Sequence, residues 1–206
     1  MDGIKHTLSD LLKHLHLLPR RSGSAYEKFK SATLTACASL NITNPAQIAY
    51  IFATVEHETA GTFKPVREAF WLSEPALIRW LKRNAKPYHY ARMWGRGHIQ
   101  LTWAKNYIKV DKFFGLDGAL IDNPDLMLND YELSIATAVA GMKYGWFTGK
   151  KLDDYINDNT LDLAGARRIV NGRDKAHKIA KSGAKYLNQL HELNHYDLQD
   201  DNDGYV

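Results

Sequence analysis

The stretch NPAQIAYIFATVEHETAG, residues 44–61, decides how the chain is built. Asn44 offers an N-cap, Pro45 suits a first helical turn, and Ile48, Ile51, Phe52 and Val55 recur at three- and four-residue spacing toward Gly61. This pattern predicts an amphipathic helix whose last turn carries Glu56, His57 and Glu58. At about 100° per residue, Glu58 falls roughly 20° from Ile51 around the axis, at the rim of the apolar stripe, and His57 points nearly opposite its centre. A carboxyl at that rim is half buried and sits at the negative end of the helix dipole. Both conditions disfavour its charge and so favour the protonated state that a general acid needs. Periodicity leaves a second reading open, in which Glu58 is a rim residue paired with an Arg or Lys.

Working outward, Leu8, Leu11, Leu12, Leu15 and Leu18 predict an earlier amphipathic helix ended by Pro19, followed by the basic connector at 20–24. Tyr26, Phe29, Thr33, Ala36, Cys37 and Leu40 mark the next helix. Downstream, a short helix is expected over 75–83 with Ser73 as its cap, and further helices over 104–114, 130–147, 161–170 and 174–193. The aromatic, glycine-containing run at 87–103 suits a loop or small hairpin better than a helix. The expected architecture is therefore mainly α and bilobal, with a cleft lined by that central segment. Residues 1–196 read as a single domain with the helices of 1–43 packed on it, and 197–206 as a flexible acidic tail.

Composition narrows the function classes. With 206 residues, 45% hydrophobic and 24% charged, the chain has enough material for one real core and is neither disordered nor collagen-like. The lone Cys37 excludes an internal disulfide and a cysteine zinc site, and its setting between Ala36 and Ala38 reads as packing. No apolar run reaches the roughly 18 residues of a membrane span. The first six residues carry no apolar leader region, so a cytoplasmic location, or exit without a signal peptide, is expected. The net charge of +4 hides an uneven distribution, because the last ten residues hold four Asp and no Lys or Arg.

Several chemistries fail on spacing. His57-Glu58 opens a zinc-protease pattern, but Gly61 stands where the second histidine belongs, so no metal or other cofactor is expected. No G-x-S-x-G supports a serine nucleophile, and Gly95-Arg96-Gly97 lacks the Lys-Ser/Thr of a phosphate loop. A pair of carboxylates fares better. Glu68 lies ten residues past Glu58, beyond Gly61 and Pro65, and so on a different element. Two carboxyls about 6.5–9.5 Å apart leave room for a water and serve inverting hydrolysis of a glycosidic bond. Glu74 rivals Glu68 for the second role, although Glu74-Pro75 also reads as a helix-start charge.

Four segments in order then resemble glycoside hydrolase family 19, the family of plant-type chitinases and many phage endolysins. They are His57-Glu58-Thr59-Ala60-Gly61, Gly95-Arg96-Gly97-His98-Ile99-Gln100-Leu101-Thr102-Trp103 with Asn106-Tyr107, Asn123-Pro124-Asp125-Leu126, and Ile169-Val170-Asn171-Gly172. The similarity spans about residues 45–190. It implies an α-rich, lysozyme-like fold and an inverting mechanism. By the same resemblance Glu58 is the general acid, Glu68 the base for the attacking water, and Thr102 a holder of that water. Gln100, Asn106 and Asn171 match residues lining the sugar cleft, where amides and hydroxyls read sugar groups; His57, Arg96, Trp103 and Tyr107 join them as candidate substrate contacts, and of Trp94, Trp103 and Tyr107, the candidates for stacking, one or two are expected in the core. Plant members carry disulfides and a longer acid-to-base loop, so the single cysteine and ten-residue gap resemble the short phage or bacterial form.

Charge then bears on substrate. The run 79–112 holds nine Lys or Arg against Asp111, and 167–185 holds seven against Asp174, local charges of +8 and +6. Such stretches draw in an anionic polymer. Chitin is neutral, whereas peptidoglycan carries peptide carboxylates and lies among anionic envelope polymers. The expectation is a monomeric endolysin that cuts bonds between N-acetylated amino sugars of the bacterial wall, held in the host cytoplasm until release. It is expected to need no nucleic-acid partner and no integral membrane. Two alternatives stand beside it: a chitinase acting on chitin oligomers, and a non-catalytic glycan- or nucleic-acid-binding module in which Tyr88, Tyr90, Trp94 and Trp103 supply stacking.

Overall fold

A computed structural model describes residues 24–89 and 92–200. The segment that opened the sequence reading forms helix α2, Pro45–Glu58, preceded by α1, Ser24–Ser39. Asn44 caps α2 through its side-chain oxygen, which accepts from the Ala46 amide at 2.9 Å and the Gln47 amide at 3.4 Å. Every residue from 47 to 55 is buried, so α2 is the axle of the molecule and not the one-sided surface helix its stripe suggested. Polar Gln47 is tolerated there because its amide donates to the Asp153 carboxylate at 2.8 Å and the Ile156 carbonyl at 2.7 Å.

The remaining helices are α3 (Glu74–Arg83), α4 (Ala104–Phe114), α5 (Ala119–Asp122), α6 (Leu126–Asn129), α7 (Tyr131–Tyr144) and α8 (Ala176–Asp200). Helix α8 lies along α2 and α1 against α7, with the rings of Phe29, Phe52, Phe63 and Tyr186 meeting between them at centroid separations of 4.8–5.5 Å. A second apolar cluster, including Leu101, Tyr107, Val110, Leu120 and Met127, sits under α4 to α7. A small third one joins Ala69, Leu77, Leu81 and Trp94. Two main clusters bridged by α7 match the mainly α, lysozyme-like class read from the sequence. Cys37 is fully enclosed on α1, where burial pushes its thiol up to about 12.

Three local departures have physical reasons. The helix expected over 161–170 is instead strand β2 (Thr160–Leu161), paired antiparallel with β1 (Ile156–Asn157), and then a 3₁₀ turn, Gly165–Ile169. Asp162 diverts it: its carboxylate accepts the Gly165 amide at 2.7 Å, and a side chain at Gly165 would come within 1.9 Å of that same carboxylate. Helix α7 stops at Tyr144, three residues earlier than expected, because Gly145 takes a left-handed φ of 71°. The unforeseen α5 is held by Asp111, whose buried carboxylate accepts the amides of Gly118 and Leu120. The expected helix at Leu8 to Leu18 lies outside the described residues, as do Tyr90 and 201–206, while the α8 backbone runs on to Asp200. Among the described residues no helix is long and apolar enough to cross a membrane.

Candidate active site

Glu58 is the last residue of α2, and burial of the helix behind it fixes where its carboxyl emerges. The side chain is 16% exposed and accepts from the Arg167 guanidinium at 2.7 Å. Arg167 is itself buried, 3% exposed, and donates to the Asp174 carbonyl at 3.1 Å. The apolar stripe of α2 leaves two settings for Glu58, a carboxyl shaped by desolvation and the helix dipole or a rim carboxyl paired with a cation. The structure takes the second: Glu58 is a half-buried carboxyl held on a buried cation. Arg167 was not foreseen as a site residue. Its signal was an arginine inside the apolar run Gly165-Ala166-Arg167-Arg168-Ile169-Val170, where a charge needs a partner.

Glu68 is held on a different scaffold. The segment 66–68 runs beside the glycine loop, with the Val66 amide donating to the Gly97 carbonyl and the Glu68 amide to the Gly95 carbonyl at 2.7 Å. One Glu68 oxygen accepts the Tyr88 hydroxyl at 2.9 Å, and the other accepts the Gly95 amide at 3.0 Å. The carboxylate is therefore oriented at both oxygens. Burial first, and then the neighbouring carboxylate, raise the Tyr88 hydroxyl above its usual range, so it remains a proton donor to Glu68. Glu74 differs: it forms a surface ion pair with Arg92 at the start of α3. The geometry favours Glu68 over Glu74 as an oriented carboxylate. Ser73 holds the N-cap position with no side-chain cap bond.

The glycine loop earns its spelling residue by residue. Arg96 and Leu101 exchange backbone hydrogen bonds in an isolated antiparallel bridge, which makes the expected small hairpin. A side chain at Gly95 would meet the Gln100 amide oxygen at 2.6 Å, and one at Gly97, with φ 85°, would meet the Ser134 hydroxyl at 2.7 Å. Gln100 donates to the Val66 carbonyl at 2.6 Å, Thr102 to the Gln100 carbonyl at 2.8 Å, and Asn106 to the Thr102 carbonyl at 2.8 Å. Thr102 thus spends its hydrogen within the loop and keeps its oxygen lone pairs to accept from a water. Buried His98 contacts the Ser134 hydroxyl at 2.8 Å and the Phe63 carbonyl at 3.3 Å, and burial lowers its imidazole to about 4.

Some expected sugar contacts are corrected by burial. Arg96 is 3% exposed, lies over the Trp94 ring, and binds Asp125 and backbone carbonyls, so it fastens the loop and is closed to a sugar. Tyr107 is fully buried with its hydroxyl on the Trp94 carbonyl, and Trp94 is core as well. Asn106 is largely enclosed. Trp103 remains accessible at 44%, its ring edge-on to Tyr88. His57 is half buried and lines a cavity of about 310 Å³ with Glu56, Lys178 and Ser182; burial lowers its imidazole, and Arg167 and Lys178 act in the same direction. Asn171 stands exposed on the turn that follows Arg167, its side-chain oxygen accepting the Gly172 amide. Among the described residues no cluster of His, Cys, Asp or Glu is suited to a metal. The arrangement offers two carboxyls on separate elements, each fixed by its own partners, which is the equipment of general acid and base chemistry.

Comparison with known proteins covers most of this architecture. The family described as chitinase class I, glycoside hydrolase family 19, matches residues 21–155. Endochitinase 1 of Theobroma cacao is 28% identical over 139 residues, 58% of this chain and 41% of that protein. Chitinase 8 of Oryza sativa subsp. japonica is 32% identical over 104 residues, 50% of this chain and 36% of that protein. The chain thus spans about two fifths of the length of these curated relatives. The crystal structure of chitinase C from Streptomyces griseus HUT6037 superposes with a TM-score of 0.58 at 21% identity, over 93% of this chain and 78% of that one, a likeness of fold.

Proposed function

This chain belongs to glycoside hydrolase family 19, and on that premise we propose that it hydrolyses glycosidic bonds between N-acetylated amino sugars of bacterial peptidoglycan, as an endolysin does. The observation that carries the hydrolytic reading is the pair of separately oriented carboxyls, Glu58 on Arg167 and Glu68 between Tyr88 and Gly95. In this mechanism Glu58 protonates the leaving glycosidic oxygen. Glu68 takes a proton from a water that attacks the anomeric carbon from the opposite face, and the product emerges inverted. Thr102 holds that water by accepting one of its hydrogens, because its own hydrogen is committed to Gln100. Trp103 and Asn171 line the path of the sugar chain.

The choice of peptidoglycan rests on charge. Lys178, Lys181 and Lys185 line the outer side of α8, and Lys178 also borders the cavity that holds His57, one residue from Glu58. A cationic approach beside the acid favours a glycan with anionic peptide stems over neutral chitin. Location in a host cytoplasm before release, and action as a monomer, follow from this reading as proposals. The test compares wild type, Glu58→Gln and Glu68→Gln on purified sacculi and on chitin oligomers. Turbidity loss of sacculi by wild type alone is expected. Cleavage of chitin oligomers with sacculi untouched would make the protein a chitinase, and full activity in Glu58→Gln would remove Glu58 as the acid.

A further inference from the structure

Beside Glu68 the chain makes a tight turn that places two large aromatic side chains in water. Phe70 is 67% and Trp71 70% exposed, the most exposed large apolar side chains among the described residues. Their rings meet edge to face, 5.3 Å apart at 80°. The turn is anchored on both sides of them. Glu68 is tied to Gly95 through the backbone, and Ala69 is buried at a left-handed φ of 47° in the cluster with Leu77, Leu81 and Trp94. Leu72 packs on that same cluster, its amide donates to the Ala69 carbonyl at 2.9 Å, and the Arg67 guanidinium holds its carbonyl. With 69 and 72 pulled inward, 70 and 71 can only face out. A fixed backbone that exposes two rings is a presented surface, unlike a stray apolar residue on a mobile loop.

We propose that Phe70 and Trp71 form a stacking platform for one amino sugar of the glycan on the Glu68 side of the scissile bond. The proposal rests on the hydrolase reading above. Three observations select a sugar as the occupant. The platform begins two residues after the oriented Glu68, on the turn that Glu68 anchors to Gly95, which makes it a neighbour of any glycan held at that carboxylate. Tyr88, whose hydroxyl is on that carboxylate, meets the exposed Trp103 ring edge-on at 5.0 Å, so a second aromatic pair reaches the Glu68 side and suits a chain of sugar rings with apolar faces. The charged residues from 66 to 74 are Arg67, Glu68 and Glu74, and Arg67 is engaged by Leu72 while Glu74 is engaged by Arg92, so the turn itself offers no free cation to an anionic lipid headgroup.

The experiment uses the full chain with Trp71→Ala, Trp71→Phe and the double Phe70→Ala/Trp71→Ala variant, on N-acetylglucosamine oligomers of two, four and six units and on sacculi. The double variant is expected to raise KM for the hexamer and for sacculi at least tenfold with kcat within threefold. The dimer's binding should be unchanged, and Trp71→Phe should recover most of the loss. Because both rings are exposed, thermal midpoints should stay within about 2 °C of wild type. Unchanged KM in the double variant overturns the platform, as does a KM rise of equal size at every chain length. Intrinsic fluorescence separates this from the hydrolase reading: quenching by the hexamer that is lost in Trp71→Phe supports the platform even if wild type cleaves neither substrate, an outcome that would sink the hydrolase reading instead. Binding to phosphatidylglycerol vesicles with no quenching by sugar would make the pair a lipid contact and overturn the proposal.

Discussion

Replacing Glu58 by leucine strands a buried cation, and the size of the effect follows from the geometry. Arg167 is 3% exposed and, among the described residues, keeps only the Asp174 carbonyl as an acceptor once the carboxylate is gone. Breaking a buried ion pair from one side costs about 3–5 kcal/mol, and the 16% exposure of Glu58, which lets water approach the pair, places this site near 3. For a chain of this size that is a fall of about 6–12 °C in Tm. Glu58→Gln keeps an oxygen for the guanidinium and should cost only about 1 kcal/mol. In Glu58→Leu/Arg167→Met neither charge remains, so the double variant should be more stable than Glu58→Leu, with a coupling of at least ~1.5 kcal/mol. Urea unfolding at pH 7, followed by circular dichroism, measures the four corners of the cycle: wild type, Glu58→Leu, Arg167→Met and the double variant. Effects that add to within about 0.5 kcal/mol would refute the claim that Arg167 holds Glu58. Activity should separate from stability, since Glu58→Gln, nearly as stable as wild type, is expected to lose at least ~100-fold in kcat.

Three further outcomes follow from the site. Glu74→Gln should retain activity within twofold and Glu68→Gln should lose at least ~100-fold, measured as initial rates on sacculi, while Tyr88→Phe, which removes one donor from Glu68, should fall between them at roughly tenfold. Gly95→Ala drives a methyl to 2.6 Å from the Gln100 oxygen, and Gln100 can yield only by giving up Val66; activity should drop at least tenfold with a loss of about 1–2 kcal/mol in stability. His98 has a folded-state value of about 4 against 6.5 unfolded, so the unfolded chain binds more protons between those limits. Its contribution is complete above pH 6.5 and declines as pH falls toward 4, by about 3 kcal/mol in all. His98→Asn, though less stable at pH 7, should therefore show a flatter urea midpoint between pH 7 and 4.5, and an unchanged slope would remove His98 as the source.

The sequence was most legible where one local force acts alone. Asn44, Pro45 and the apolar spacing set α2 almost to the residue, since cap, proline and burial all agree there. It was least legible where a side chain competes with the backbone, as Asp162 does in turning 161–170 out of a helix, or Asp111 in capping α5 from seven residues away. The site divided in the same way. Glu58, Glu68 and Thr102 could be nominated as candidates, but the ordering of the glycine loop into core and surface could not be read. Whether Arg96 and Tyr107 meet a sugar or the Trp94 backbone depends on which way a hairpin faces, and that is settled by Asp125 and Ser134 from distant parts of the chain. Arg167 pairs with Glu58 across 109 residues, a contact that periodicity has no means to report.

The enclosed Cys37 has a practical consequence. A thiol that is wholly covered and held up near 12 does not react with disulfide reagents while α1 stays packed on α7, so its labelling rate is a clock that runs only when this part of the core opens. As the chain's one cysteine, it makes the native sequence its own single-site reporter of opening. Each variant above can then be ranked by the lag before its thiol becomes visible, with no dye attached and no residue added, and a loss of chemistry can be told from a loss of packing in the same tube.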